Sequence, residues 1–160
     1  MNLFRKLFKS KIEHLIEMTV ALSTRTVIMP VEILRLASSL SDLKDRENTI
    51  AVTARVLPGH ESLHVRRVFF LMIKFMGKTA YDADAMAALL LRGLNDAEPW
   101  VQYDAAWGIE VLAMNRPEFI AALEHLAEGY SGDEAASGSA EDNLQWRASR
   151  ALKSIRPEHG

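Results

Sequence analysis

The string His60-Glu61-Ser62-Leu63-His64 has the spacing of a zinc-hydrolase motif. Two imidazoles four residues apart face the same way only on a continuous helix. There they can share one zinc ion while the glutamate activates a bound water. Pro58 and Gly59 interrupt a helix just upstream, so His60 falls in a turn and His64 near the start of the next helix. No third ligand stands out. His60 and His64 are the candidates for metal that the sequence offers, and the context reads as two polar residues at a solvated turn. The chain has no cysteine, no Gly-rich phosphate loop and no evident serine-nucleophile motif. The expectation is a non-enzyme with no cofactor and no small-molecule substrate.

Composition bounds the alternatives. The 160 residues are 49% hydrophobic and 25% charged, a balance that builds one domain with a sizeable core. A formal charge of −2 does not suit a surface devoted wholly to nucleic acid. Charge is nevertheless uneven. Arg5, Lys6, Lys9 and Lys11 precede the first acid, Glu13, whereas residues 117–146 contain no Lys or Arg and seven acids. No apolar run spans a bilayer, and Lys9, Lys11, Glu13 and Glu17 break up any signal-peptide core. A cytoplasmic location without integral membrane association is expected. Leu3, Phe4, Leu7 and Phe8 beside the basic residues suggest that residues 1–10 form a cap or extension rather than a membrane anchor.

The elements that would position any site emerge from an internal period. Val101, Ala105, Ile109 and Leu112 form one helical stripe. The same offsets recur 36 residues earlier as Val65, Phe69, Ile73 and Met76, and again as Met29, Ile33, Ala37 and Leu40. They recur 43 residues later as Leu144, Ala148, Leu152 and Ile155. Leu15, Ala51, Ala87 and Leu123, each 36 apart, mark intervening helices. The reading is four helix pairs: first helices at 11–22, 46–57, 82–94 and 117–129, second helices at 28–41, 62–77, 99–113 and 142–155. Pro58-Gly59 and Asn95–Pro99 supply turns, Asp82 an N-cap, and Pro99 and Pro117 early helical positions. The longer last interval falls in 130–142, an acidic Gly/Ser-rich loop.

LNDAEPWVQYDAAWGIEVL resembles a HEAT repeat, with Asp and Pro in its turn. HVRRVFFLMIKFMG and NLQWRASRALKSI resemble further copies, while the first unit fits only by register. Gln102 stands where such repeats often carry Arg. The resemblance implies an all-α fold, a right-handed α-solenoid of about four antiparallel helix pairs filling 1–160 as one domain. It also implies that the second helices line a concave surface. Opposite the buried stripe of residues 101–112 lie Tyr103, Trp107 and Glu110. By register they align with Arg35, Arg67, Lys74, Trp146, Arg150 and Lys153.

Aromatics interleaved with arginines are the composition of binding anchors. The expected function is a non-catalytic protein-binding scaffold or adaptor holding an acidic or extended partner. An inhibitor or toxin-neutralising immunity protein is one form of it, by analogy of fold. The alternative is a nucleic-acid-binding HEAT-like module, which the acidic fourth pair opposes.

Overall fold

A computed structural model describes residues 10–130, 132 and 138–156. The expected cap at 1–10 lies outside these residues save for Ser10, as does much of the 130–142 loop. Among the described residues the protein is all-helical, with no strand. It divides after Met76 into two compact units.

The first unit holds α1 (Lys11–Val20), a 3-10 turn (Ala21–Thr24), α2 (Pro30–Ser41), α3 (Arg46–Thr53) and α4 (Leu63–Met76). Helix α1 begins with a reciprocal cap: Ser10 Oγ accepts from the Glu13 amide and Glu13 Oε2 from the Ser10 amide. Helix α2 starts at Pro30, and Glu32 accepts the Met29 amide at 2.9 Å while pairing with Arg25. That guanidinium, with the Met29 amide, holds the Glu32 carboxyl below its ordinary range. Helix α2 packs on α1 and more extensively on α4. Of the stripe expected on α2, Ile33, Ala37 and Leu40 are buried, whereas Met29 is exposed because it caps the helix from outside.

Helix α3 is shorter than the expected 46–57. Its Thr53 hydroxyl donates to the Thr49 carbonyl at 2.7 Å, and Pro58 disfavours helical backbone at Leu57, so the chain turns and buries Leu57 and Pro58. In α4 the expected stripe, Val65, Phe69, Ile73 and Met76, is buried. So are Val68, Phe70, Leu71 and Met72, which makes α4 an interior helix around most of its circumference. Leu71, which lies 36 residues before Trp107 and so shares its register, is core. Gly77, at φ +65°, ends α4 in the left-handed region, and Arg46 Nη1 donates to the Met76 carbonyl at 3.2 Å.

The second unit holds α5 (Ala83–Leu94), α6 (Pro99–Leu112), α7 (Pro117–Leu126) and α8 (Ala140–Ile155). Helices α5 and α7 touch each other, α6 and α8 pack extensively together, and α5–α6 and α7–α8 complete two layers. Asp82 caps α5 by accepting the Ala85 amide at 2.7 Å, and Pro99 and Pro117 open α6 and α7. Both stripes expected on α6 and α8 are buried throughout, with Ala105, Ala106 and Gly108 sealed between helices. Helix α8 begins two residues before the expected start at 142, because Ser139 and Asp142 form a reciprocal cap within the stretch that reads as loop.

Ile109 is fully buried, so a carboxylate there has no water and no prepared partner. Removing the apolar side chain alone costs about 2–5 kcal/mol, and an ionised replacement costs more. Ile109→Asp is expected to abolish the cooperative melt of the second unit in calorimetry. A wild-type melting temperature would refute the register of α6.

Candidate functional site

His60 and His64 do not share a helix. His60 lies in the turn before α4 and its Nδ1 accepts the Ser62 amide at 3.1 Å. Arg66 Nη1 reaches back to the carbonyls of His60 and Glu61 at 2.9 and 2.8 Å, fixing the turn. His64 is half-buried on the first turn of α4, and its Nδ1 meets no hydrogen-bond partner among the described residues. Desolvation pushes the His64 imidazole below its ordinary value, and the Arg67 charge lowers it further. Among the described residues no three His, Cys, Asp or Glu side chains cluster in an arrangement suited to a metal ion.

In the second unit, α6 and α8 bring most of the expected face together. Trp100, Tyr103 and Trp107 lie on successive turns of α6. Their rings meet edge to face, with centroids 5.4 Å apart for Trp100–Tyr103 and 5.9 Å for Tyr103–Trp107. Helix α8 contributes Trp146, Arg150 and Lys153. Arg35, Arg67 and Lys74 belong to the first unit, on α2 and α4. Of these, Lys74 sits 4.4 Å from the centroid of the neighbouring Phe75 ring.

At the centre stands a residue the expected face omitted. Arg147 is only 5% exposed, yet it is a cation. Its Nη1 donates to Glu110 Oε2 at 2.6 Å and its Nη2 to the Tyr103 hydroxyl at 3.0 Å. The guanidinium carbon lies 4.2 Å from the Trp107 ring centroid, 4.6 Å from Trp146 and 4.9 Å from Tyr103. Three aromatic faces thus replace water around a charge whose Nε has no hydrogen-bond partner among the described residues. Arg is suited to this: its planar group stacks on rings while its edge makes directed bonds.

The consequence for Tyr103, Trp107 and Glu110 is specific. All three are part-buried and engaged by Arg147, so they are first of all walls of an internal cage. The outer rim is different. Trp100 is exposed at 37%, and Arg150, exposed, stacks 5.2 Å from the Trp146 ring centroid. Arg150 Nε also lies 3.5 Å from Glu110 Oε1. Beside it opens a shallow recess of about 500 Å³ lined by Glu110, Arg150, Lys153 and Ser154. Trp100 was absent from the expected face because its register partner is His64. Its place one turn before Tyr103 was the available signal.

Two measurements test this geometry. Because the folded-state value of His64 is depressed, its contribution to stability is present above the ordinary histidine value of about 6.5 and is lost as pH falls below it. The urea midpoint of the wild type is expected to drop more between pH 7.5 and pH 5 than that of His64→Gln. Equal drops would show that His64 is not the titrating group. Truncating Arg147 to Ala leaves Glu110 poorly solvated and empties the cage, at an expected cost of about 3–5 kcal/mol in urea unfolding. Arg147→Lys is expected to recover only part of this, since an ammonium lacks the planar fork. Comparison with protein-family models, curated proteins and solved structures finds no match to the chain.

Proposed function

We propose that the chain is a non-catalytic protein-binding scaffold or adaptor whose helix pairs are HEAT-like repeats of a right-handed α-solenoid. The contact face is the α6/α8 surface of the second unit, and the partner is an acidic, extended protein segment. The observation that carries this reading is the aromatic–arginine rim. Trp100 is exposed, Arg150 lies over the Trp146 ring, and Lys153 borders the adjoining recess. Aromatics and arginine held on rigid helices lose little entropy on binding. Charge gives the sign of the partner. Among the described residues that line the recess, one acid, Glu110, stands against Arg150 and Lys153, and it pairs with Arg147, so the local balance is cationic. Glu110 is already paired with Arg147, and carboxylates of a partner find Arg150 and Lys153 at the rim.

The 36-residue recurrence of the buried stripes supports the repeat reading, as does the two-layer packing within the second unit. A toxin-neutralising immunity protein is one form such a module takes, inferred from fold analogy.

The test follows the division between cage and rim. Changing Tyr103 and Trp107 together would strip Arg147 of two walls and confuse folding with binding. Trp100→Ala with Arg150→Ala leaves the cage walls in place. With a protein that co-purifies with the wild-type chain, remeasured from pure components, the double variant is expected to lose at least about tenfold in affinity, or 1.4 kcal/mol. Its melting temperature should change little. Unchanged affinity would remove this face from the function. A steep salt dependence of oligonucleotide binding through the same residues would favour a nucleic-acid module instead.

A further inference from the structure

A second concavity in the same unit has a different chemistry. The segment leading into α5 and the end of α6 enclose a cleft of about 190 Å³ lined by Lys78, Thr79, Tyr81, Ala83, Met86, Leu112 and Met114. Its deep walls are apolar. Met86 and Leu112 are buried and Met114 and Tyr81 half-buried. Its lining residues with polar side chains are Lys78, Thr79 and Tyr81, and Lys78 is the one that carries a charge.

The backbone on both sides is turned to make this shape. Gly77, just before Lys78, has φ +65°. Ala113, between Leu112 and Met114, has φ +50°, the described non-glycine residue with positive φ. The amide of Ala113 bonds to the Glu110 carbonyl and that of Met114 to the Ile109 carbonyl, which is the helix ending normally closed by glycine. Here alanine closes it and Met114 is delivered to the cleft wall.

Size and charge narrow the occupant. Ligand pockets for drug-sized molecules run to about 300–1,000 Å³, so this cleft takes one short chain and no more. Methionine walls are polarisable and adapt to flexible aliphatic guests. The nearby acids are otherwise engaged: Asp82 caps α5 and Asp84 pairs with Arg116 at 2.6 Å, an interaction that raises the Arg116 pKa. Among the described residues Lys78 makes no ion pair, and Thr79 Oγ1 accepts from the Tyr81 amide at 3.3 Å, so its own proton remains available to donate. An anion in this cleft therefore has a cation and a hydroxyl donor among residues that otherwise present apolar walls.

We propose that this cleft binds a medium-chain carboxylate, with the aliphatic tail on Met86, Leu112 and Met114 and the carboxylate at Lys78 and Thr79. The site is separate in its residues from the aromatic–arginine rim, so it adds a small-molecule ligand to a chain whose sequence suggests none.

The experiment is a titration of the full chain, carrying methyl-labelled methionine, with octanoate below its micellar concentration and with octanol as the uncharged control. Saturable shifts of the Met86 and Met114 methyl resonances are expected with octanoate. Lys78→Gln should weaken octanoate about tenfold and leave octanol unchanged. Ala83→Phe, at an exposed position on the rim, should block both ligands while the melting temperature holds. Trp100→Ala with Arg150→Ala should bind octanoate as the wild type does. Absence of saturable shifts at those two methionines would overturn the proposal. So would octanoate affinity indifferent to Lys78→Gln, which would mean a nonselective apolar surface, or binding retained in Ala83→Phe.

Discussion

A positive charge buried among three aromatic rings is the constraint around which the second unit is arranged. Taking a guanidinium out of water costs several kcal/mol unless its donors and its charge are both answered. Arg147 on α8 is answered almost wholly from α6: Tyr103 by hydroxyl and ring, Trp107 by ring, Glu110 by carboxylate. Only Trp146 comes from its own helix. Sliding α8 along α6 by one residue would separate Arg147 from all three at once. Apolar stripes such as 101–112 and 144–155 tolerate a small shift, since one methyl contact resembles the next. The cage does not, so it fixes the register of the most extensively packed helix pair in the unit.

The periodic part of this fold was legible because burial on a helix repeats with the turn. Ile33, Ala37, Val65, Phe69, Val101, Ala105, Leu144 and Ala148 are all core where the spacing places them. The helix starts at Pro99 and Pro117 were legible for a local reason, the fixed φ of proline. Arg147 was not. An arginine on the flank of an apolar stripe reads as solvated, because its long stem usually carries the charge outward. The available clue was positional: Arg147 occupies the register of Asp104, and both are buried. Two polar residues at one repeat position, each beside aromatics, mark a buried polar layer. The all-round burial of α4 escaped for another reason, since periodicity identifies one face and is silent about what covers the other.

Helix ends show how neighbouring elements depend on one another. The last carbonyls of a helix need donors. Gln102 Nε2 on α6 supplies one to Leu94 at the end of α5, at 2.8 Å. Arg46 performs the corresponding task for Met76 in the first unit. At the far end of α8, Arg156 pairs with Glu124 of α7. Each contact joins a helix to its immediate partner, and the Gln102–Leu94 bond spans the turn that connects its two helices.

On the proposed reading, the cage lets a contact face and a stabilising buried cluster share one surface without conflict. Had Tyr103, Trp107 and Trp146 faced water together, they would form an apolar patch prone to nonspecific association. With Arg147 among them, the inner ring surfaces are satisfied within the unit. The groups most open to solvent are at the edge: Trp100, Arg150 over the Trp146 ring, and the recess beside Lys153. Such an edge is rigid because its supports are buried, and cationic because its one acid is internally paired. Preorganised contact groups spare a partner the entropy of ordering them. The same buried arginine that fixes how α8 lies on α6 thus determines which groups this surface leaves exposed.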